Sequence, residues 1–261
     1  MNKEVLEIYQ SKKKSLIIQL KRSFIITKKD LKIYYNKPPV LIQGIIFPII
    51  LFIALTIGRN IQPLYLISGL MTMTLFLTST SIGPIVFPWE TMRKTFERVI
   101  TCPVSIKTII LGSVWGSFIY GFLFSLVPLI LGIILFSEQL IFNLLLIIIG
   151  MLLAGLVFSC FSQILSVPST DTPGNTMMLT ILIKFPLIFI SPLFIPINSS
   201  SFAIISPLTY FADIINMGLG DVSAFGTFGI LIDISFLFIF GFFFLFLAFT
   251  LHSKTLERRF Q

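Results

Sequence analysis

The 261-residue sequence has little charge, one histidine and two cysteines. Charged residues make up 11% of the chain, against roughly 25% in an ordinary soluble domain. The single His252 excludes a multi-histidine metal or catalytic centre, and Cys102 and Cys160 are too few for a zinc site or a disulfide framework. The sequence also contains no G-x-x-x-x-G-K-[ST] phosphate loop and no H-E-x-x-H motif. We therefore predict no catalytic residue, no metal and no cofactor on this chain.

The chain is instead rich in apolar residues. Hydrophobic residues make up 56% of it and phenylalanine alone occurs 29 times, which is more apolar surface than a soluble protein of this length can bury. A membrane-spanning helix needs about 20 mainly apolar residues. Six stretches meet this requirement, at approximately Val40–Gly58, Leu64–Phe87, Ile109–Phe136, Leu140–Val167, Met177–Ile197 and Phe225–Leu251.

The basic residues indicate how these spans are oriented. With six spans, 17 of the 19 lysines and arginines fall on one side: ten before the first span, four between the second and third, and three in the tail. The positive-inside rule then places both termini in the cytoplasm. We expect a multi-pass protein of the plasma membrane, and we read the net charge of +8 as a sign of topology rather than of nucleic-acid binding.

The basic N-terminal segment has an amphipathic pattern. Its apolar residues fall close to one helical face, and most of its cations lie away from that face. This pattern predicts a helix in the cytoplasmic interface, with its apolar side chains in lipid and its lysines at the headgroups. Pro38-Pro39 ends this helix. The alternative is a solvated basic tail. The apolar face comprises Ile17, Leu20, Phe24, Leu31 and Tyr35, and the cations are Lys21, Arg22, Lys29 and Lys32.

The loop between spans two and three holds a dense patch of mixed charge. Glu90 and Lys94 have i,i+4 spacing, and Glu97 lies near both Arg93 and Lys94. Met92, Phe96 and Val99 supply an apolar side, and Pro103 supplies a stop. We predict a short amphipathic helix. It either rests on the lipid surface or docks into the groove of a partner protein.

Two ionisable residues lie inside predicted spans. Lys184 is about halfway along span five, and Asp233 is about a third of the way into span six. Because the two spans are antiparallel, the two depths are similar, and an ion pair would offset part of the cost of burying each charge. The pair either belongs to a transport path or gate, or only fixes the packing of spans five and six.

Three segments resemble ABC-2 type membrane subunits of ABC exporters. ETMRKTFERVITCPVSIKTIILG is similar to the acidic-basic helix and "Pvs" turn that follow the second span in that family, although Lys94-Thr95 stands where Gly-Thr is usual. SPLTYFADIINMGLG resembles the family's outer segment, with Pro207, Thr209 and Tyr210 in the "PlTY" motif. KKDLKIYYNKPPVLIQGIIFP is similar to the entry into span one.

The resemblance implies a permease dimer in which each half is bound to a separate ATPase subunit that carries ATP and Mg. The second permease copy would be identical or a paralogue. The loop helix would be the coupling element, with site residues Glu90, Arg93, Lys94, Phe96, Glu97, Arg98, Val99 and Pro103. The N-terminal helix would be the family's connecting helix. Substrate would pass along the dimer seam, with Phe47, Met71, Met73, Phe185 and Phe189 as candidate path residues, and the segment around Pro207, Thr209 and Tyr210 would cap the exit.

The predicted fold is an all-α membrane protein and a single ABC-2 type transmembrane domain. It divides into a cytoplasmic and interfacial segment (1–37), a six-span core (38–252) and a cytoplasmic tail (253–261), with a coupling helix between spans two and three and a short extracellular re-entrant helix between spans five and six. The expected function is ATP-driven export of a hydrophobic or amphipathic substrate, such as a drug-like molecule or lipid. The alternative is a membrane scaffold or assembly factor that recruits a cytoplasmic partner through the 90–103 loop.

Overall fold

A computed structural model describes residues 3–33, 42–58, 61–93, 95, 104–167, 173–193 and 201–259. Within these ranges the regular secondary structure is entirely helical, which confirms the all-α prediction. A π-helical turn (Ile42–Ile46) precedes α2, and a 3-10 turn (Ser201–Ile205) precedes α8. The helices are α1 Lys3–Ile33, α2 Phe47–Gly58, α3 Pro63–Ser81, α4 Gly83–Met92, α5 Ile106–Phe136, α6 Leu144–Leu165, α7 Pro173–Ile190, α8 Pro207–Gly218 and α9 Gly229–Arg259.

Four stretches of the described chain are long and apolar enough to cross a membrane. They are Pro63–Glu90 (α3 with most of α4), Ile106–Phe136, Leu144–Leu165 and Gly229–Thr255, and they match predicted spans two, three, four and six. Predicted spans one and five coincide with the shorter apolar helices Phe47–Ile57 and Gly174–Ile190. The six-span topology therefore stays a prediction.

The first of these four stretches bends at Ile82, between α3 and α4. The Ser81 hydroxyl donates to the carbonyl of Leu77, and the Gly83 amide donates to Ser162 Oγ on α6 at 3.1 Å. Pro84 has no amide hydrogen to donate, which a helix tolerates in its first turn. Although we predicted that span two ends at Phe87, α4 continues through Pro88 to Met92.

Helix α3 forms the centre of the bundle, packed against α5, α6 and α8. Every residue from Leu66 to Ser81 is buried, including seven serines and threonines. Several of their hydroxyls donate to carbonyls one turn earlier, such as Thr78 to Thr74 at 2.6 Å, which lets a polar side chain sit in an apolar interior. Phe76 fixes the neighbouring helix through an edge-on contact with Phe158, at 5.2 Å between ring centroids.

The bundle has two ends, which we call the basic end and the opposite end. At the basic end α1, the start of α5, and the ends of α4, α6 and α9 meet: His252 Nε2 lies 2.9 Å from the carbonyl oxygen of Gln163 and its ring contacts Phe87. At the opposite end the starts of α3, α6 and α9 meet α8. There the Asn143 amide donates to the Gly218 carbonyl at 2.7 Å.

Helix α1 packs on α5 through small polar residues. Thr27 Oγ1 donates to the Gly112 carbonyl at 2.8 Å, and a Cβ on Gly112 would lie only 2.8 Å from Cβ of Ile26. Ile17 and Leu20 of the predicted apolar face are exposed on α1. Phe24 is half exposed and stacks on Trp115 of α5, with the ring centroids 5.6 Å apart. Exposed apolar side chains on this helix suit contact with lipid.

Candidate functional site

The site lies at the basic end, where α1 meets the end of α4. The Lys29 ammonium donates to Glu90 Oε1 and lies 3.1 Å from Asp30 Oδ1. Glu90 and Asp30 are buried, whereas the Lys29 side chain is 32% exposed. The sequence pattern had placed Lys29 among the cations turned towards lipid headgroups. In the structure it joins two buried carboxylates that are 60 positions apart in the chain.

Burial and charge act in opposite directions on this cluster. Burial disfavours the Lys29 ammonium, but Asp30 and Glu90 outweigh that effect and raise its pKa above the ordinary value. Burial raises the pKa of Asp30 to about 6, although the adjacent ammonium favours its charged form. Neither Asp30 oxygen accepts a hydrogen bond of good geometry from the described residues. Asp30 is therefore the least satisfied of the three groups.

An apolar cluster supports the charged groups. Ile82, Val86 and Tyr120 form its buried part, and Leu31 and Trp89 pack against it. The Arg93 guanidinium lies 4.7 Å from the centre of the Trp89 ring, within the range of a cation–π contact. Of the predicted coupling residues the structure thus places Glu90 in the charged cluster and Arg93 beside it.

The other predicted coupling residues lie outside the described part of the chain. They are Lys94, Phe96, Glu97, Arg98, Val99 and Pro103. At the start of this segment the structure describes Arg93 and Thr95. The Thr95 hydroxyl donates to the Glu90 carbonyl at 3.2 Å. The site therefore consists of the start of the predicted coupling segment and its attachment to α1.

Lys184 and Asp233 are both buried, but the structure does not bring them together. Lys184 Nζ donates to Ser81 Oγ at 3.4 Å, just before the bend at Ile82. Both ion pairs found among the described residues have Lys29 as the cation, so neither includes Lys184 or Asp233. The predicted partner on span six is thus replaced by a hydroxyl on span two, because α7 packs against α4 rather than against α9.

Asp233 and Asp213 form a pair of interacting carboxyl groups at the opposite end. Asp213 lies on α8 and is an ionisable neighbour of Asp233. Asp213 accepts hydrogen bonds from the Ser223 hydroxyl at 2.6 Å and from the Ala224 amide at 3.1 Å. Neither oxygen of Asp233 has such a donor within the described chain. Asp233 is therefore placed by a second carboxyl group and not by Lys184.

Of the five candidate path residues, some lie in or against the core and others lie on an exposed surface. Met71 and Met73 are buried in the core on α3, and Phe47 packs against that core. Phe185 and Phe189 lie on the exposed side of α7, with their ring centroids 6.1 Å apart. The structure therefore does not gather all five on one surface.

The Pro207-Thr209-Tyr210 segment has a clear local role. Ser206 caps α8 by accepting from the Leu208 amide, and Pro207 follows at the first helical position. Thr209 and Tyr210 donate their hydroxyl hydrogens to the carbonyls of Ala203 and Ile204, at 2.6 and 2.8 Å. The motif thus fastens the preceding 3-10 turn to α8.

Sequence reasoning missed Asp30, Ser81 and Asp213. A signal for Asp30 was available: Ser23, Thr27 and Asp30 recur at helical spacing on a face free of large apolar residues, and all three are buried. The apolar stripe of that helix does not reveal it. Ser81 has no comparable local pattern, because its partner Lys184 comes from a distant helix. The partners of Asp213 lie in the loop after α8, where no regular spacing marks them.

The apolar helices and the charged cluster at the basic end are those of a multi-pass, all-α membrane protein. Comparison with known proteins then gives the family. The ABC-2 type transporter family matches residues 21–220, and the chain belongs to that family. It is a transport permease without an ATP-binding motif of its own, and permeases of this family generally work with an ABC ATPase subunit. The curated proteins include no match to the chain.

Proposed function

We propose that the chain is the membrane subunit of an ATP-driven exporter, powered by a separate ATPase subunit that holds ATP and Mg²⁺. Family membership favours this function over a membrane scaffold. The observation that carries the proposal is the contact of Lys29 with Glu90, because it ties α1 to the first turn of the predicted coupling segment. A push on residues 90–103 would then be transmitted to α1 and, through Gly112, to α5.

Two exposed apolar surfaces, one on α2 and one on α7, support a dimer seam. Ile50 and Ile53 on α2 and Leu182 and Phe189 on α7 are exposed, and all four are apolar. An apolar seam suits a hydrophobic or amphipathic substrate. We retain Phe185 and Phe189 as the path residues of choice, since they lie on this exposed side. In this proposal the basic end is cytoplasmic, and α8 caps the exit on the outer side.

Docking is tested by reversing charge in the predicted coupling helix. Glu97→Lys with Arg98→Glu should abolish co-purification with the ATPase subunit, because charged groups at a docking surface set partner choice. Glu138→Lys is the matched control, since Glu138 is exposed just beyond α5 at the opposite end. An intact complex in the double variant would refute docking through this segment.

Transport itself is tested with inverted membrane vesicles that contain the permease and its ATPase. ATP-dependent uptake of an apolar or amphipathic compound from a panel is the expected result. Uptake that does not require ATP, or that survives loss of the ATPase subunit, would contradict an ATP-driven exporter.

A further inference from the structure

A groove lies between helices α5, α6 and α9. It holds a cavity of about 230 Å³. Leu111 and Trp115 line it from α5, Cys160 from α6, and Leu237 and Gly241 from α9. The whole lining consists of apolar side chains, one thiol and one glycine. The Trp115 indole N–H and the Cys160 thiol are the only side-chain groups of the lining that could donate a hydrogen bond.

The position of the groove indicates what covers it. All three helices are candidate membrane spans, and the neighbouring face of α9 exposes Phe238, Phe242 and Phe246. The medium at this depth is lipid hydrocarbon. The volume exceeds that of a roughly 150 Å³ apolar cavity that binds benzene, and it is smaller than the roughly 300–1,000 Å³ of a pocket for a drug-sized ligand. A single acyl chain fits this size and chemistry.

A cation stands at the end of the groove that is nearest the basic end. Lys107 precedes Leu111 by one helical turn on α5, and Phe249 follows the groove residue Leu245 by one turn on α9. Lys107 Nζ lies 6.0 Å from the centre of the Phe249 ring, so that it bridges the two helices. Lys107 is exposed. A lysine at the edge of the hydrocarbon favours an anionic headgroup.

We propose that the groove between α5, α6 and α9 binds an acyl chain of one anionic phospholipid, whose headgroup is held by Lys107. The ligand comes from the bilayer and not from the transported substrate, because the groove shares no residue with the candidate path on α7. The site would tie α9 to α5 and α6 from the lipid side. Its existence does not depend on the proposed ATP-driven mechanism.

The experiment uses Trp115 as a reporter inside the groove. The chain has two tryptophans, Trp89 and Trp115, so Trp89→Phe leaves a single indole in the full-length protein. This variant is reconstituted in phosphatidylcholine vesicles that contain increasing fractions of brominated phosphatidylglycerol. A parallel series contains the same fractions of brominated phosphatidylcholine. Bromine on an acyl chain quenches an indole that it contacts.

Half-maximal quenching should occur at about a fivefold lower fraction of brominated phosphatidylglycerol than of brominated phosphatidylcholine, the ratio expected from one lysine near an anionic headgroup. Lys107→Ala should abolish this difference, and Lys107→Arg should retain it. Lys32→Ala is the control, because Lys32 is exposed on α1. Gly241→Leu should reduce quenching by both lipids by filling the groove, whereas Ile239→Phe adds bulk at an exposed position on α9 and should not.

Equal quenching by the two lipids in the parent protein would overturn the proposal. A preference for phosphatidylglycerol that survives Lys107→Ala would also overturn it, because the headgroup would then be held elsewhere. Quenching that is the same in Gly241→Leu as in the parent would show that Trp115 meets only bulk lipid. Lys107 is an exposed side chain, so its variants keep the test decisive even if Gly241→Leu fails to fold.

Discussion

The two ends of the bundle are assembled by different interactions. The basic end is joined by contacts between residues far apart in the chain, chiefly Lys29 with Glu90 and Thr27 with Gly112. At the opposite end local contacts are added to the long-range ones: Tyr210 reaches six residues back to Ile204, and Ser223 reaches ten residues back to Asp213. Aromatic packing completes it, with Tyr210 stacked on Phe236 at 4.7 Å.

This difference indicates which end can respond to a partner. Charged contacts that face water are altered by a neighbouring charge, by salt or by pH. The opposite end has stacked rings and buried carboxyl groups, and neither of the ion pairs found among the described residues lies there. The contrast therefore suits a permease that is driven at its basic end and stays rigid at its opposite end.

The largest expected effect comes from removing the shared cation of the basic end. Lys29→Met leaves Asp30 and Glu90 buried without a counter-charge, and breaking a buried pair in this way costs several kcal/mol. Because Lys29 is 32% exposed, we expect a loss of about 2–4 kcal/mol in unfolding free energy. The measurement is the thermal unfolding midpoint of the purified protein in nanodiscs.

The control for this variant lies at the opposite end. Tyr65→Phe removes a contact of 3.3 Å with Asp221 that is only partly buried, and it should change the unfolding free energy by less than about 0.5 kcal/mol. Lys29→Met with Glu90→Leu should recover part of the loss, since an apolar pair can replace a buried ionic one. Equal unfolding midpoints for Lys29→Met and Tyr65→Phe would show that the polar contacts of the basic end contribute no more to stability than those of the opposite end.

Close packing of glycines gives a smaller contrast between the ends. A Cβ on Gly83 would lie 2.6 Å from Ser162 Oγ and 2.8 Å from the Ser162 carbonyl oxygen, and the backbone oxygen cannot rotate away. A Cβ on Gly218, at the opposite end, would meet the side chain of Ile147 at 2.5 Å. We expect Gly83→Ala to cost about 2–3 kcal/mol and Gly218→Ala about 1–2 kcal/mol.

Thermal unfolding again measures both variants. Gly174→Ala serves as the reference, because a Cβ there would meet nothing within 4 Å, and it should be neutral to within about 0.5 kcal/mol. A greater loss for Gly218→Ala than for Gly83→Ala would show that the bend at Ile82 yields more readily than the cap.

Much of the fold could be predicted from sequence because a membrane-spanning helix can be recognised from one local run of apolar residues. Apolar runs of about 20 residues require a helix, since no other single segment satisfies its backbone in lipid. The predicted spans two, three, four and six therefore agree with the structure to within a few residues at most ends. The short helix at Pro207 was expected from the family resemblance, and in the structure Ser206 caps its start.

The candidate site was less accessible to such reasoning. Lys184 and Asp233 were paired on depth alone, and depth does not determine which helices are neighbours. In the structure α7 contacts α4, so that Lys184 meets Ser81, while Asp233 meets Asp213. Lys29 was assigned to the headgroups because it lies off the apolar stripe. Only the packing of α1 against the end of α4 brings Glu90 to it.

The smallest expected effect is a change in pH dependence at the basic end. Burial raises the pKa of Asp30 from 3.8 to about 6, so between these values the folded chain binds more protons than the unfolded chain. The stability of the wild-type protein should therefore fall as the pH rises through this window and remain lower above it, by at most about 3 kcal/mol. Asp30→Asn removes the titrating group.

The unfolding midpoint of Asp30→Asn, relative to wild type, should therefore rise from pH 4 to pH 7.5, with about 1–2 kcal/mol gained across the interval after allowance for the contact with Lys29. Tyr210→Phe at the opposite end should lose about 1 kcal/mol at both pH values, because the hydroxyl it removes, 2.8 Å from the Ile204 carbonyl, does not titrate in this range. The difference in unfolding midpoint from wild type could stay constant with pH for Asp30→Asn, or change with pH for Tyr210→Phe. Either result would mean that sensitivity to protons is not confined to the basic end.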